Sequence, residues 1–164
     1  MKRIDKGVKL LLTDISDGML AAAKSALGQS ENISMKVVNI ENIPYENDRF
    51  DTVTANMMLY HVSDIDKALS EAARVLSKNG SFYCAAHGEN GINSFIADLL
   101  KDYGIVDAEN KSFTLQNGYM ALKKHFSDVK RFDYEDSLRV TDINDLIAYI
   151  YSLQDISSVT EIRK

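Results

Sequence analysis

The stretch FDTVTANMMLYHVSDIDKALSEAARVLSKNG, residues Phe50 to Gly80, decides the fold. It opens as a strand: Phe50, Val53 and Ala55 interrupt polar neighbours as in a strand lying under helices. Ser63 with Asp66 three residues on has the form of a capping box, a serine N-cap followed by an acid. Ile65, Ala68, Leu69, Ala72, Val75 and Leu76 then recur at helical spacing and form one apolar face. Lys78 is expected in the last turn, where a cation complements the helix dipole, and Gly80 as a left-handed exit. Ser81 to Ala86 follows as the next strand. The unit is strand–helix–strand, and its loop Asn56 to Val62 leaves the carboxyl end of the first strand, where open α/β sheets bind ligands.

Upstream, Val8 to Asp14 (VKLLLTD) is a near-continuous apolar run ending in an acid, the pattern of a strand buried on both faces. Ser16 can cap the next helix, with Asp17 in its first turn, Met19, Leu20, Ala23, Ala26 and Leu27 facing inward and Gly28 at its end. Ile33 to Val38 is a further strand. Its connection to Phe50 holds the only proline, Pro44, and is too short for a crossover helix. Downstream, helices are expected over Ile92 to Tyr103, Leu115 to Phe126 and Asp142 to Leu153, with an edge strand over Val129 to Leu138. The alternation of strands and helices predicts an α/β chain, a Rossmann-like three-layer α/β/α sandwich with a mostly parallel sheet.

The 164 residues suffice for one domain with a core, and residues 1–164 read as a single domain whose helical segment 88–126 is an insertion. The net charge of −5 carries no basic footprint, which argues against nucleic acid or an anionic membrane as partner. The single cysteine, Cys84, excludes an internal disulfide and is expected as a small buried hydrophobe. His61, His87 and His125 stand at no metal-ligand spacing, so no metal is expected. There is no apolar run of membrane-spanning length and no signal-peptide core, which makes the cytoplasm the expected location.

In three places the Phe50–Gly80 stretch resembles a class I S-adenosylmethionine-dependent methyltransferase: Phe50-Asp51 opening the fourth strand of that family, His61-Val62-Ser63-Asp64 after it, and the helix end Arg74-Val75-Leu76…Gly80. The resemblance covers roughly Val8 to Leu153. It implies a first strand with a Gly-x-Gly turn, and among the eight glycines there is no Gly-x-Gly, so the chain reads as a truncated domain with its first strand absent. One strand of the family's closing hairpin is also without a counterpart. The exposed edge left in the sheet leads to the expectation of a homodimer, or else of direct pairing between the second and fourth strands.

The resemblance also supplies roles. Asp14 would accept the ribose hydroxyls of the cofactor S-adenosylmethionine, compatibly with a capping role at the helix start. Ile15 and Met19 would flank the adenine ring, although both types are as readily core residues. Asn39 stands where the family has an aspartate for the adenine amine, or is a strand-end turn residue; the Ile40 amide would donate to a ring nitrogen. Asn56 would meet the cofactor from the other strand end. No side chain is assigned as catalytic. His61 and His87 are the candidates for a base, and a histidine of this kind more commonly packs locally. The implied activity is methyl transfer to a small-molecule acceptor. The competing readings are a non-catalytic remnant of such a fold and an NAD-dependent dehydrogenase, whose ribose is also held by an acid ending the second strand.

Overall fold

A computed structural model describes residues 7–28, 30–104, 106–107, 109–134 and 139–152. The chain divides into two compact units, residues 1–54 with 62–83 and residues 55–61 with 84–164. Strands alternate with helices as expected of an α/β chain, and among the described residues the strands are hydrogen-bonded as two separate pairs.

In the first unit β1 (Leu10–Asp14) runs parallel to β2 (Ile33–Val37), in register from Leu10 opposite Ile33 to Asp14 opposite Val37. Helix α1 (Asp17–Leu27) connects them. The Ser16 hydroxyl oxygen accepts from the Met19 N–H at 3.3 Å, which satisfies one of the orphan donors of the first turn. Gly28 ends the helix at φ 70°, a conformation in which a side chain would be strained, and donates its N–H to Lys24 O. The strand begins two residues later than the apolar run, and it is not buried on both faces: Leu10, Leu11 and Leu12 are half-buried, and Val8 is exposed. The reason is topological, since β1 has a strand partner on one edge only among the described residues. Direct pairing of β1, the family's second strand, with the strand that opens at Phe50, the family's fourth, was one of the expected outcomes and does not occur among the described residues. On α1, Leu20, Ala23 and Leu27 turn inward while Met19 and Ala26 are exposed.

Strand β3 (Phe50–Asn56) leads through a 3₁₀ turn at Leu59–His61 to α2 (Ile65–Val75), and β4 (Leu76–Ala85) follows. Arg49 N–H donates to Val75 O at one end of the pair and Met57 N–H to Ala85 O at the other, so β3 and β4 run in the same direction. The apolar face of α2 is packed away from solvent: Ala68, Leu69 and Ala72 are fully buried and Val75 nearly so.

Its ends differ from the sequence reading. The N-cap is Asp64, not Ser63; the Asp64 carboxylate accepts from Lys67 N–H at 3.0 Å, and its own N–H is taken by Glu41 Oε1 at 2.8 Å. The helix stops at Val75, so Lys78 lies in β4 and the last-turn cation is Arg74. Gly80 is not a left-handed exit. A Cβ there would lie 2.9 Å from Leu76 Cδ2 and 3.1 Å from Asp51 O, so glycine is required by close packing.

The Pro44 connection has no helix, and Arg74 stands in for one. Its guanidinium donates to the carbonyls of Ile43 (2.9 Å) and Tyr45 (2.8 Å), to Asn47 Oδ1 (2.9 Å), and in fork fashion to both oxygens of Glu71 (2.6 and 2.8 Å). Glu71 Oε2 also accepts from Ile43 N–H at 2.9 Å. The hydrogen bonds from Arg74 hold the Glu71 carboxyl below the usual carboxylate range.

In the second unit α3 (Ile92–Leu99) is shorter than the helix read from the sequence, with a separate 3₁₀ turn at Lys101–Tyr103, and α4 spans only Gly118–Lys123. The Thr114 hydroxyl, accepting from Gln116 and Asn117 N–H, sets a turn before α4 that takes residues 115–117 out of the expected helix. Residues 129–134 form no strand, because the alternating side chains have no partner ladder; the rest of that expected strand lies outside the described residues. Helix α5 (Ile143–Ser152) keeps Leu146 and Ile150 half-buried and leaves Ile143 and Ile147 exposed, while Leu153 lies outside the described residues. Cys84 is half-buried, and burial pushes its thiol up.

The core of this unit centres on Phe113 (2% exposed) against Gly118. A Cβ at Gly118 would meet Phe113 Cζ at 2.9 Å. The variant G118A is expected to lose about 1–3 kcal/mol by overpacking. Thermal melting measures the loss, and the double variant G118A/F113L should recover part of it.

Candidate active site

The carboxyl edge of the β1–β2 pair gathers five of the six residues singled out in the sequence. Val38 N–H donates to Asp14 O at 3.0 Å, which continues the ladder to the strand ends. There the Asp14 carboxylate accepts from Ser16 N–H at 2.8 Å through Oδ1, a turn that fixes the side chain. Oδ2 has no hydrogen bond among the described residues. An aspartate held by one oxygen with the other open is an acceptor for hydroxyl groups. In the segment that follows it, Ile15 is 70% exposed and Met19 61% exposed, two large apolar side chains open to solvent. Neither is a core residue.

Asn39 follows β2. Its side-chain oxygen accepts from Glu41 N–H at 2.9 Å and its carbonyl from Asn42 N–H at 3.0 Å, so the turn reading holds for it. One lone pair of that side-chain oxygen is therefore used internally. The N–H of Ile40, held within this turn, makes no hydrogen bond among the described residues.

Asn56 belongs to the second unit and is exposed at the carboxyl end of β3. Met57, next to it, has φ 51°, an uncommon conformation for a residue with a side chain. In the same unit the His61 ring lies 4.3 Å from the Tyr60 ring, the local packing expected of it. His87 lies 4.6 Å from Tyr60 on centroids and places Nε2 3.2 Å from Glu109 Oε1. Sequence reasoning named His87 and missed Glu109, which lies in irregular backbone with no periodic or motif signal. Among the described residues no group of three histidine, cysteine or acidic side chains could hold a metal ion.

A methyltransferase domain family model matches residues 2–84, just over half of the chain. It belongs to the class I S-adenosylmethionine-dependent methyltransferases. Among the relatives of this methyltransferase chain, the ubiquinone/menaquinone biosynthesis C-methyltransferase UbiE of Rickettsia rickettsii (strain Sheila Smith) is 35% identical over 136 residues, 81% of this chain and 54% of that protein. The chain thus spans about half the length of the relatives it matches. Among solved structures, the methyltransferase CalH in complex with SAH superposes with a TM-score of 0.57 at 18% identity, covering 74% of this chain and 37% of that one. A methyltransferase of Thermotoga maritima, described as a possible histamine N-methyltransferase, gives 0.55 at 16% identity, over 74% and 64%. These likenesses bear out the Rossmann-like α/β fold. No helix of the methyltransferase chain, among the described residues, is long and apolar enough to cross a membrane.

Proposed function

We propose that this chain holds the adenosine half of S-adenosylmethionine and takes part in methyl transfer to a small-molecule acceptor. The observation that carries the reading is the Asp14 carboxylate at the end of β1, fixed by Ser16 N–H on one oxygen and open on the other, with Ile15 and Met19 exposed in the segment that follows it. The residues fit the group. Asp14 accepts the two ribose hydroxyls, Ile15 and Met19 flank the adenine, the Ile40 N–H donates to a ring nitrogen, and Asn39 offers its remaining lone pair to the adenine amine.

The bound cofactor supplies a methyl group already activated on a positively charged sulfur. What remains for the protein is placing acceptor and donor and excluding water, and orientation alone is worth up to roughly 7–11 kcal/mol in well-aligned reactions. A side chain that makes or breaks bonds is therefore not demanded at the adenosine site. The helical segment 88–126 is the part of the chain proposed to choose the acceptor. The relatives named as C-methyltransferases of ubiquinone and menaquinone biosynthesis support a carbon acceptor. The non-catalytic and dehydrogenase readings are not favoured by the family match.

Calorimetric titration with S-adenosylhomocysteine tests the proposal. A one-site isotherm with micromolar affinity is expected, and NADH should not compete. No heat at high micromolar ligand would sink it.

A further inference from the structure

We propose that a cavity at the amino end of β3 binds a free α-amino acid with a large apolar side chain. This site stands apart from the methyl-transfer reading and does not rest on it.

The cavity encloses about 460 Å³ and is lined by Ile43, Pro44, Tyr45, Glu46 and Arg49, all within the first unit. That volume suits one small molecule, since ligand clefts run from roughly 300 to 1,000 Å³. Its residues come from the Pro44 connection, and Arg49 directly precedes β3. Asp14, Ile15, Asn39 and Ile40 take no part in it.

The walls are set before any ligand arrives. Arg74 holds the carbonyls of Ile43 and Tyr45, and Tyr45 N–H donates to Ile43 O at 2.8 Å. Asp48 N–H donates to Arg74 O at 3.1 Å and Arg49 N–H to Val75 O at 2.8 Å, which closes the segment onto the end of α2. The Tyr45 ring is held as well. Phe50 meets it edge-on at 5.2 Å between centroids, and Lys36 Nζ stands 5.0 Å from its centroid. A backbone and a ring already fixed lose little freedom on binding.

What the walls leave unmatched selects the ligand. Ile43 and Tyr45 are half-buried and Pro44 is exposed, which gives the cavity an apolar side. The Glu46 and Arg49 side chains are exposed and make no hydrogen bond or ion pair among the described residues, not even with each other. Two acceptors close to Arg49 in sequence, Tyr45 O and Asn47 Oδ1, are already taken by Arg74. A guanidinium with its fork free suits a carboxylate, and a free carboxylate suits an ammonium. Opposite charges that share one concavity without closing on each other match a molecule with both charges on one carbon. The apolar side then takes the body of that molecule. An apolar acid would leave Glu46 unmatched, and an apolar amine would leave Arg49 unmatched.

The test is a saturation-transfer NMR titration of the full chain with L-phenylalanine. Saturable binding is expected with a dissociation constant of about a millimolar or lower. R49Q should weaken it at least about tenfold and E46Q about fivefold, with R49K, which keeps the charge but not the fork, in between. On the wild type, 3-phenylpropionate (no ammonium) and phenethylamine (no carboxylate) should each bind at least about fivefold more weakly. No saturation by about 10 mM phenylalanine overturns the proposal, as does equal affinity in R49Q and E46Q. So does 3-phenylpropionate binding as tightly as phenylalanine. Exposed, unpaired side chains contribute little stability, so both variants should melt at the wild-type temperature. If either does not, the analogue series on the wild type decides by the same criterion. S-adenosylhomocysteine also ends in an amino acid, so D14N is titrated alongside. Phenylalanine affinity should be unchanged in D14N, and a loss there would move the amino acid to the Asp14 edge and overturn the proposal. Failure of S-adenosylhomocysteine to bind, with phenylalanine binding intact, removes the cofactor reading and leaves this site standing.

Discussion

Replacing Leu69 with alanine is expected to cost about 3 kcal/mol of stability, within the range of roughly 2–5 for fully buried leucines. Leu69 is inaccessible to solvent and sits with Ala68, Ala72 and Val75 on the one face of α2 that is buried along its length. Two of its helix neighbours on that face are alanines, so the cavity has little side-chain mass nearby to close it. The cost is the transfer of the lost methyl groups plus the void they leave. L69M, which conserves volume, should cost under about 1.5 kcal/mol. Urea unfolding followed by far-ultraviolet circular dichroism measures both. A loss below about 1 kcal/mol for L69A would mean that this face does not sit in a packed interior.

The second large effect is expected at Asp14. D14A removes the acceptor proposed for both ribose hydroxyls, and hydrogen bonds to a charged group are worth about 1.5–3 kcal/mol each. Affinity for S-adenosylhomocysteine should therefore fall about a hundredfold or more, by calorimetry. D14N is the sharper variant. Its amide oxygen can still accept from Ser16 N–H at the 2.8 Å position, so the turn survives, while the open oxygen becomes a donor or loses its charge. D14N should unfold at the wild-type temperature and bind at least tenfold more weakly. Unchanged affinity in D14N would remove Asp14 from the cofactor site.

What could be read in the sequence was what local physics controls. The apolar periodicity of Ala68, Leu69, Ala72 and Val75, the Ser16 cap and the Gly28 terminus are set within a few residues, and the structure carries all three. The carboxyl-edge placement of Asp14, Ile15, Met19, Asn39 and Ile40 follows from strand ends that the same periodicities mark. Tertiary packing controlled the rest. Gly80 is glycine because Leu76 and Asp51 crowd it, not because of its dihedral angle, and no neighbouring residue announces that. Alternation over residues 129–134 predicts a strand only if a partner ladder exists, and none does among the described residues. Arg74 looked like part of a helix end and is the anchor of a loop far from it in sequence. Glu109 meets His87 in a segment whose Asn110 and Ser112 dock on the Tyr60 carbonyl, a contact between residues some fifty positions apart.

The Arg74 anchor couples two regions that share no regular hydrogen-bond ladder. Glu41, whose N–H closes the Asn39 turn, accepts from Asp64 at the start of α2, and Arg74 with Glu71 grips Ile43 and Tyr45 from its end. The segment after β2 is thus laced to the helix at both termini. Its amides and those of α2 must exchange with solvent through one shared opening, and whatever tightens around Asn39 and Ile40 slows that exchange along the whole helix.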